Sequence, residues 1–298
     1  YEAGQLRKAV EQDRLLFEYD GHVRPVSLLP AHLARMRARV FRAQASEWMA
    51  ANARFRADVL ARLRADGPLI AAQIPDTSQV AHRNEAGWYG SNQAPRMLEL
   101  LSYLGEVGIV GREGRQRVWD IGERVFADVP VLDADEAGRM LDERRLQAAG
   151  IARQKSPWTP VGTAGVAASV EGSTWKWRVD PAALESLDDD PGGRVAILNP
   201  YDGMLFDRPR LAELFGFEYV LEQFKPKAQR VYGYFAHPIL VGDRFAGLLD
   251  AELDKKKENL VVAAVQGHAI GAGFQLALAA DVRVVADDVS FAMAEITV

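Results

Sequence analysis

Between Asn92 and Leu104 apolar residues recur at spacings of three and four. Met97, Leu100, Leu101 and Leu104 share one face, with Arg96, Glu99 and Tyr103 opposite, which predicts a short amphipathic helix. The pattern then shortens to strand length at Val107–Gly111, turns at the polar corner Arg112-Glu113-Gly114-Arg115, and returns over Gln116–Asp120, the signature of a hairpin. Upstream, Phe55, Val59, Leu60 and Leu63 mark a helix that must stop at Asp66-Gly67-Pro68, because proline and glycine cannot continue it. A further helical turn fits Leu69–Ile74.

The same reading applies to the rest of the chain. A mixed-charge helix over residues 5–16 leads into Leu16-Phe17-Glu18-Tyr19-Asp20-Gly21-His22, where Glu18, Tyr19 and His22 either line a polar site or form a satisfied hydrogen-bond cluster at a strand-to-helix junction. Ser27–Val40 predicts a helix with Leu33, Met36 and Val40 inward and Arg35, Arg37 and Arg39 outward. Asp133-Ala134-Asp135-Glu136 resembles a capping box opening a helix that Gly150 ends near Ala149. Lys155-Ser156-Pro157 and Pro160 mark a linker, Val166–Val170 and Thr174–Val179 a hairpin, and Asp188–Gly193 a loop. Strands are expected at Val195–Leu198, Glu218–Phe224, Val231–Phe235, Pro238–Val241 and Phe245–Leu249, with one helix at Pro209–Phe215. Val261–Val265, a glycine-rich turn at Gly267–Gly273, a helix at Phe274–Ala280 and a strand at Val282–Ala286 read as a βαβ unit that needs a parallel sheet.

Helix, short turn, helix, strand, basic hairpin tip, strand is the layout of a winged helix. In that arrangement the second long helix enters the major groove and the hairpin touches the backbone, so Arg96, Arg112, Arg115 and Arg117 are candidate DNA contacts. The same arginines are also compatible with a merely solvated face or a protein-binding module. Charge distribution favours nucleic acid more than the net charge of −5 does. Nine arginines lie between Arg24 and Arg64 against Glu47 and Asp58, which adds Arg35 and Arg39 to the candidates. Lys225-Pro226-Lys227 with Arg230 forms a second basic stretch, compatible with a backbone contact or with a protected strand edge.

The absence of cysteine excludes disulfides and thiolate metal sites, and five scattered histidines offer no metal-ligand spacing. No metal and no cofactor are expected. No apolar run reaches the ~18 residues of a membrane span. The start lacks an initiator methionine and a charged n-region, which reads as a truncated terminus of a cytoplasmic protein.

Several ordered segments carry a family resemblance. Leu16-Phe17-Glu18-Tyr19 with His22, Gly87-Trp88-Tyr89 through Trp119-Asp120, Asn199-Pro200-Tyr201-Asp202 to Asp207-Arg208, Leu214 to Tyr219, Lys225-Pro226, Val231 to Phe235 and His237-Pro238 resemble the winged-helix crosslink-repair DNA glycosylases, the AlkZ/YcaQ family, over about residues 15–258. The resemblance implies tandem winged helices with a β-rich part, and excision of alkylated bases including the unhooking of interstrand crosslinks. It also implies a catalytic glutamine followed, after one hydrophobic residue, by aspartate or glutamine, in a region N-terminal to this chain. Gln73-Ile74-Pro75-Asp76 has two intervening residues, so the role is not transferred to it. A second resemblance, over residues 261–298, is to the enoyl-CoA hydratases or crotonases. It is carried by Ala263 to Gly273 and Phe291 to Ile296, and implies an oxyanion N–H at Ala272 and a carboxylate at Glu295, with Gln275 where the family has another glutamate.

The expected fold is α+β: a partial N-terminal helical region (1–52), a winged helix (53–127), a helix and linker with a hairpin (128–194), a β-rich domain (195–260) and a βαβ fragment (261–298). The expected function is binding of double-stranded DNA, alkylated or crosslinked, by a glycosylase relative without its catalytic motif. The alternatives are an acyl-CoA enzyme fragment and a non-catalytic winged-helix regulator.

Overall fold

The computed structural model describes residues 3–82, 92–126, 128–130, 132–190 and 192–251, together with the backbone of four later strands. The chain divides into two compact units, Tyr1–Leu141 and Asp142–Val298. Both mix helices with small sheets.

The first unit begins with helix α1 (Ala3–Glu11) and a hairpin of β1 (Leu16–Tyr19) and β2 (His22–Pro25). The two residues at its turn, Asp20 and Gly21, have φ of 52° and 70°, the left-handed pair that a tight Asp-Gly hairpin requires. Helices α2 (Leu29–Arg37), α3 (Ala43–Ala51) and α4 (Ala53–Asp66) follow. Helix α2 is shorter than the periodicity suggests. Leu33 and Met36 are buried as expected, but Val40 lies past the helix end and is 89% exposed.

Helix α4 buries Phe55, Val59, Leu60 and Leu63 and ends at Gly67 with φ 85°. After strand β3 (Leu69–Ile70) and a single 3-10 turn at Ala71–Gln73 come helix α5 (Ala94–Tyr103), strands β4 (Val107–Glu113) and β5 (Gln116–Ile121), and the short α6 (Gly122–Val125). The three strands form one antiparallel sheet in the order β3-β5-β4, with Leu69 opposite Trp119 and Glu113 opposite Gln116 at the hairpin tip. Helix α5 buries Leu98 as well as Met97, Leu100 and Leu101. The apolar face is therefore wider than the sequence spacing suggested, because α5 packs into a core that also contains α3, α4, β3, β4 and β5.

Helix α7 (Ala134–Ala149) carries the chain from the first unit into the second. Asp133 accepts the Glu136 N–H at 2.7 Å, the expected N-terminal cap, and Gly150, at φ 69°, ends the helix. Strands β6 (Ile151–Arg153), β7 (Val166–Ala168) and β8 (Trp177–Val179) form an antiparallel sheet in the order β6-β8-β7, so the expected hairpin gains a third strand. Next come α8 (Pro181–Glu185), β9 (Val195–Ile197), α9 (Gly203–Phe206) and α10 (Arg208–Phe215), then β10 (His237–Val241) and β11 (Arg244–Ala251).

The expected strands at 218–224 and 231–235 do not form. Tyr219 is instead anchored by donating to the Ala236 carbonyl at 2.7 Å, and the segment between is an ordered loop built on Glu222.

Strands β12 (Val262–Val265), β13 (His268–Ile270), β14 (Val282–Ala286) and β15 (Ser290–Ala292) complete the described chain. The two strands expected of the βαβ unit do find a sheet. Strand β14 pairs antiparallel with β11 and parallel with β12, giving a five-stranded order β12-β14-β11-β10-β9, while β13 and β15 pair parallel in a separate ribbon. The sequence pattern called for a parallel sheet, whereas β11 offers an antiparallel edge. The expected helix at 274–280 lies outside the described residues.

Candidate nucleic-acid interface

The β4–β5 hairpin brings together three of the arginines singled out in the sequence, Arg112, Arg115 and Arg117, and the fourth, Arg96, lies on helix α5. Arg112 and Arg117 face each other across the hairpin. A groove of about 300 Å³ beside them is lined by Pro95, Glu99, Arg112, Arg115, Arg117 and Trp119. Arg96, on the same helix as Glu99, pairs with it at 2.8 Å. Arg117 also lies 6.0 Å from the centre of the Trp119 ring.

Two of the hairpin arginines are already held. Glu18, whose side chain is only 8% exposed, accepts from Arg112 at 2.7 Å and from Arg117 at 2.8 Å. Glu11 accepts the Arg112 backbone N–H at 3.0 Å, and Arg7 donates to the Arg112 carbonyl. Strand β1 and helix α1 therefore brace the hairpin. Arg115, at the tip, is exposed and makes no ion pair among the described residues.

The Arg24–Arg64 window is less free than its composition suggests. Arg56 pairs with Glu106 at 2.6 Å, Arg62 with Asp66 at 2.5 Å and Arg64 with Glu123 at 2.7 Å. Arg39 places its guanidinium 4.5 Å from the centre of the Tyr103 ring. Arg35 and Arg37 stand exposed on α2. Spacing along the chain reveals basic residues but not the carboxylates that folding places against them.

Glu18, Tyr19 and His22 do not share one site. Glu18 and Tyr19 line a cavity of about 330 Å³ with Arg14, Phe17, Arg124 and Phe126. Tyr19 is buried and packs 5.5 Å from His32 and 6.2 Å from Tyr103, ring to ring. His22 sits at the exposed hairpin turn, with Nδ1 2.7 Å from the Asp20 carbonyl oxygen.

Gln73 and Asp76 are both occupied by backbone. Gln73 accepts from Ile70 N–H at 2.9 Å. Asp76 accepts from Ser78 N–H at 3.0 Å and from Gln93 N–H at 2.8 Å. Burial works against the Asp76 charge, yet the hydrogen bonds from Ser78 and Gln93 hold its carboxyl below the ordinary value.

A buried polar cluster in the second unit was missed in the sequence, where Lys155-Ser156-Pro157 reads as a linker. Asp207, 1% exposed, accepts from Arg153 at 2.8 Å and from the Ser156 hydroxyl at 2.5 Å, and caps α10 through Arg210 N–H at 3.2 Å. Arg210 donates to the Ile151 and Ala149 carbonyls, tying α10 to β6 and the end of α7. No cluster of metal-ligating side chains occurs among the described residues, and no described helix is long and apolar enough to cross a membrane.

A family model described as DNA glycosylase AlkZ-like matches residues 1–287. The chain belongs to the AlkZ-like DNA glycosylase family. The match extends past the residue-258 limit of the resemblance read from sequence, taking in the strand that pairs with β11. Among solved structures, the Streptomyces sahachiroi DNA glycosylase AlkZ aligns with a TM-score of 0.55 and 14% identity, over 89% of this chain and 76% of that one. At that identity the likeness is one of fold.

Part of this AlkZ-like chain has a second similarity. Carnitinyl-CoA dehydratases from Citrobacter koseri and Escherichia coli are 56% identical to it over 52 residues, 17% of this chain. The chain spans 18% of the length of those curated relatives. Ala272, Gln275 and Glu295, the residues suggested by the crotonase resemblance, lie outside the residues whose side chains are described.

Proposed function

We propose that this chain holds alkylated or crosslinked double-stranded DNA as a DNA glycosylase, with the first unit acting as a winged helix. The arginine-lined groove between α5 and the β4–β5 hairpin carries this reading. The order helix, strand, turn, helix, hairpin and the β3-β5-β4 sheet support a winged helix, with α5 facing the major groove and Arg112, Arg115 and Arg117 facing phosphates. An alkylated purine is a cationic leaving group, so excision needs mainly a stabilised oxocarbenium-like sugar and a positioned water.

Among the described residues, Gln73 and Asp76 are committed to backbone and do not position that water. The chain as it stands should therefore release alkylated bases slowly, roughly 10²- to 10⁴-fold below an enzyme with a working general base. A base-release assay on alkylated duplex tests this, and excision that Gln73→Ala or Asp76→Ala abolished would overturn it. Complete absence of excision would favour a non-catalytic winged-helix regulator.

The 52-residue similarity to carnitinyl-CoA dehydratases supports a second reading, an acyl-CoA enzyme fragment. Hydration of a crotonyl thioester by the chain tests it, with no turnover expected, because the resemblance supplies only one of the two N–H donors an oxyanion needs.

A further inference from the structure

The loop between Glu222 and Tyr234 exposes an unusual set of side chains. Phe224 is 85% exposed, Val231 76%, Tyr232 54% and Tyr234 56%. Single apolar residues on a surface need no explanation, but several on one ordered loop do. Three basic residues, Lys225, Lys227 and Arg230, lie between Phe224 and Val231.

The loop is shaped from within. Glu222 is 2% exposed and accepts from the Val231 and Tyr232 backbone N–H groups, each at 2.7 Å, and from Lys225 Nζ at 2.7 Å. Those bonds, led by the one from Lys225, hold its carboxyl down at about 2. Arg230 donates to the Lys225 carbonyl at 2.9 Å and places its guanidinium 4.9 Å from the centre of the Tyr234 ring. Gly233, at φ 117°, lies where a Cβ would overlap the Asp250 carboxylate. Glu222 thus gathers Lys225 and the Val231–Tyr232 backbone, and Phe224 and Tyr232, next to these points, are both exposed.

Rings that present a face to solvent, beside cations fixed at the same loop, match the chemistry of unpaired nucleotides, whose bases stack while their phosphates meet positive charge. An aromatic pair serves base-paired duplex poorly, because its bases are already stacked. We propose that the Glu222–Tyr234 loop is a binding site for unpaired nucleotides, with Phe224 and Tyr232 stacking on bases and Lys227 and Arg230 meeting the adjoining phosphates. This rests on the DNA-binding reading above, and places the contact in the second unit.

The test uses the full chain with two oligonucleotide duplexes, one fully paired and one containing a three-nucleotide bulge with 2-aminopurine. The wild-type chain should prefer the bulged duplex by on the order of 10-fold and quench the 2-aminopurine. Phe224→Ala combined with Tyr232→Ala should remove both the preference and the quench while leaving affinity for paired duplex unchanged. Both side chains are exposed, so the fold should persist, and an unchanged circular dichroism spectrum checks it. Lys227→Glu should weaken bulge binding without removing the quench at saturation.

Paired-duplex binding without any bulge preference overturns the loop proposal and spares the DNA reading. Loss of all DNA binding by the wild-type chain overturns both. A change in sedimentation on Phe224→Ala/Tyr232→Ala, with bulge preference intact, would make the loop a contact between copies of the chain and overturn the proposal.

Discussion

Glu18 shows how one buried carboxylate sets the behaviour of two surface cations. It holds Arg112 and Arg117 at ion-pair distance while the arginines themselves are 44% and 38% exposed. A phosphate approaching the hairpin must compete with Glu18 for them. Glu18→Gln should therefore raise affinity for paired duplex and steepen its log-log salt dependence by up to about two phosphate equivalents of roughly 0.9 each. The cost in stability should be small, about 1 kcal/mol, because the freed arginines can rehydrate. Unchanged salt dependence would mean that these arginines do not meet phosphate. Glu222 makes a pH prediction. Its folded carboxyl titrates at about 2, against an ordinary 4.5, chiefly through Lys225 and the Tyr232 N–H. A depressed pKa contributes stability that is fully present above 4.5 and lost as the pH falls toward 2. The Val231 and Tyr232 amide resonances should keep their neutral-pH positions until the pH nears about 2, where the folded carboxyl takes up its proton, and shift there. Glu222→Gln should displace them at neutral pH.

The helix α5 and β4–β5 hairpin assembly was legible in the sequence because its signals are local. Helical spacing, a polar corner and an alternating return strand each depend on residues a few positions apart. The pairing of Glu18 with Arg112 and Arg117 spans more than 90 positions and leaves no periodic trace. The consequence for the hairpin is quantitative. Replacing Arg112, Arg115 and Arg117 by alanine should flatten the salt dependence, but by less than the three phosphate equivalents of about 0.9 each that free arginines would contribute. Arg115→Ala alone should account for a disproportionate share, since Arg115 has no ion-pair partner among the described residues. A triple variant with unaltered affinity and slope would exclude the hairpin from the DNA contact. The 218–235 segment failed as a pair of strands for a related reason. Its aromatic and β-branched residues fit strand propensity, but the buried Glu222 takes two backbone N–H groups that a ladder would need.

At the scale of the molecule, the pairing of β14 with β11 changes what removing the C-terminal region should do. Strands without a sheet would expose their edges, and truncation after Leu260 would then improve solubility. With five residue pairs joining β11 to β14, truncation instead uncovers the β11 edge, an open template for aggregation. The shortened chain should melt at a lower temperature and aggregate sooner, while its affinity for paired duplex, which the proposed function assigns to the first unit, stays the same. Improved solubility with an unchanged melting temperature would show that β14 contributes nothing to the sheet. The sequence by itself determined the helices α4, α5 and α7, the basic hairpin, the absence of cysteine chemistry and the family resemblance, because capping residues, periodicity and composition act locally or require no geometry. Tertiary structure alone decided which arginines are neutralised, that Ser156 and Asp207 are buried together with Arg153, and that the late strands have a sheet to join. Each of those depends on residues far apart in the chain meeting at a few ångströms, where burial and charge, not local propensity, set the energy.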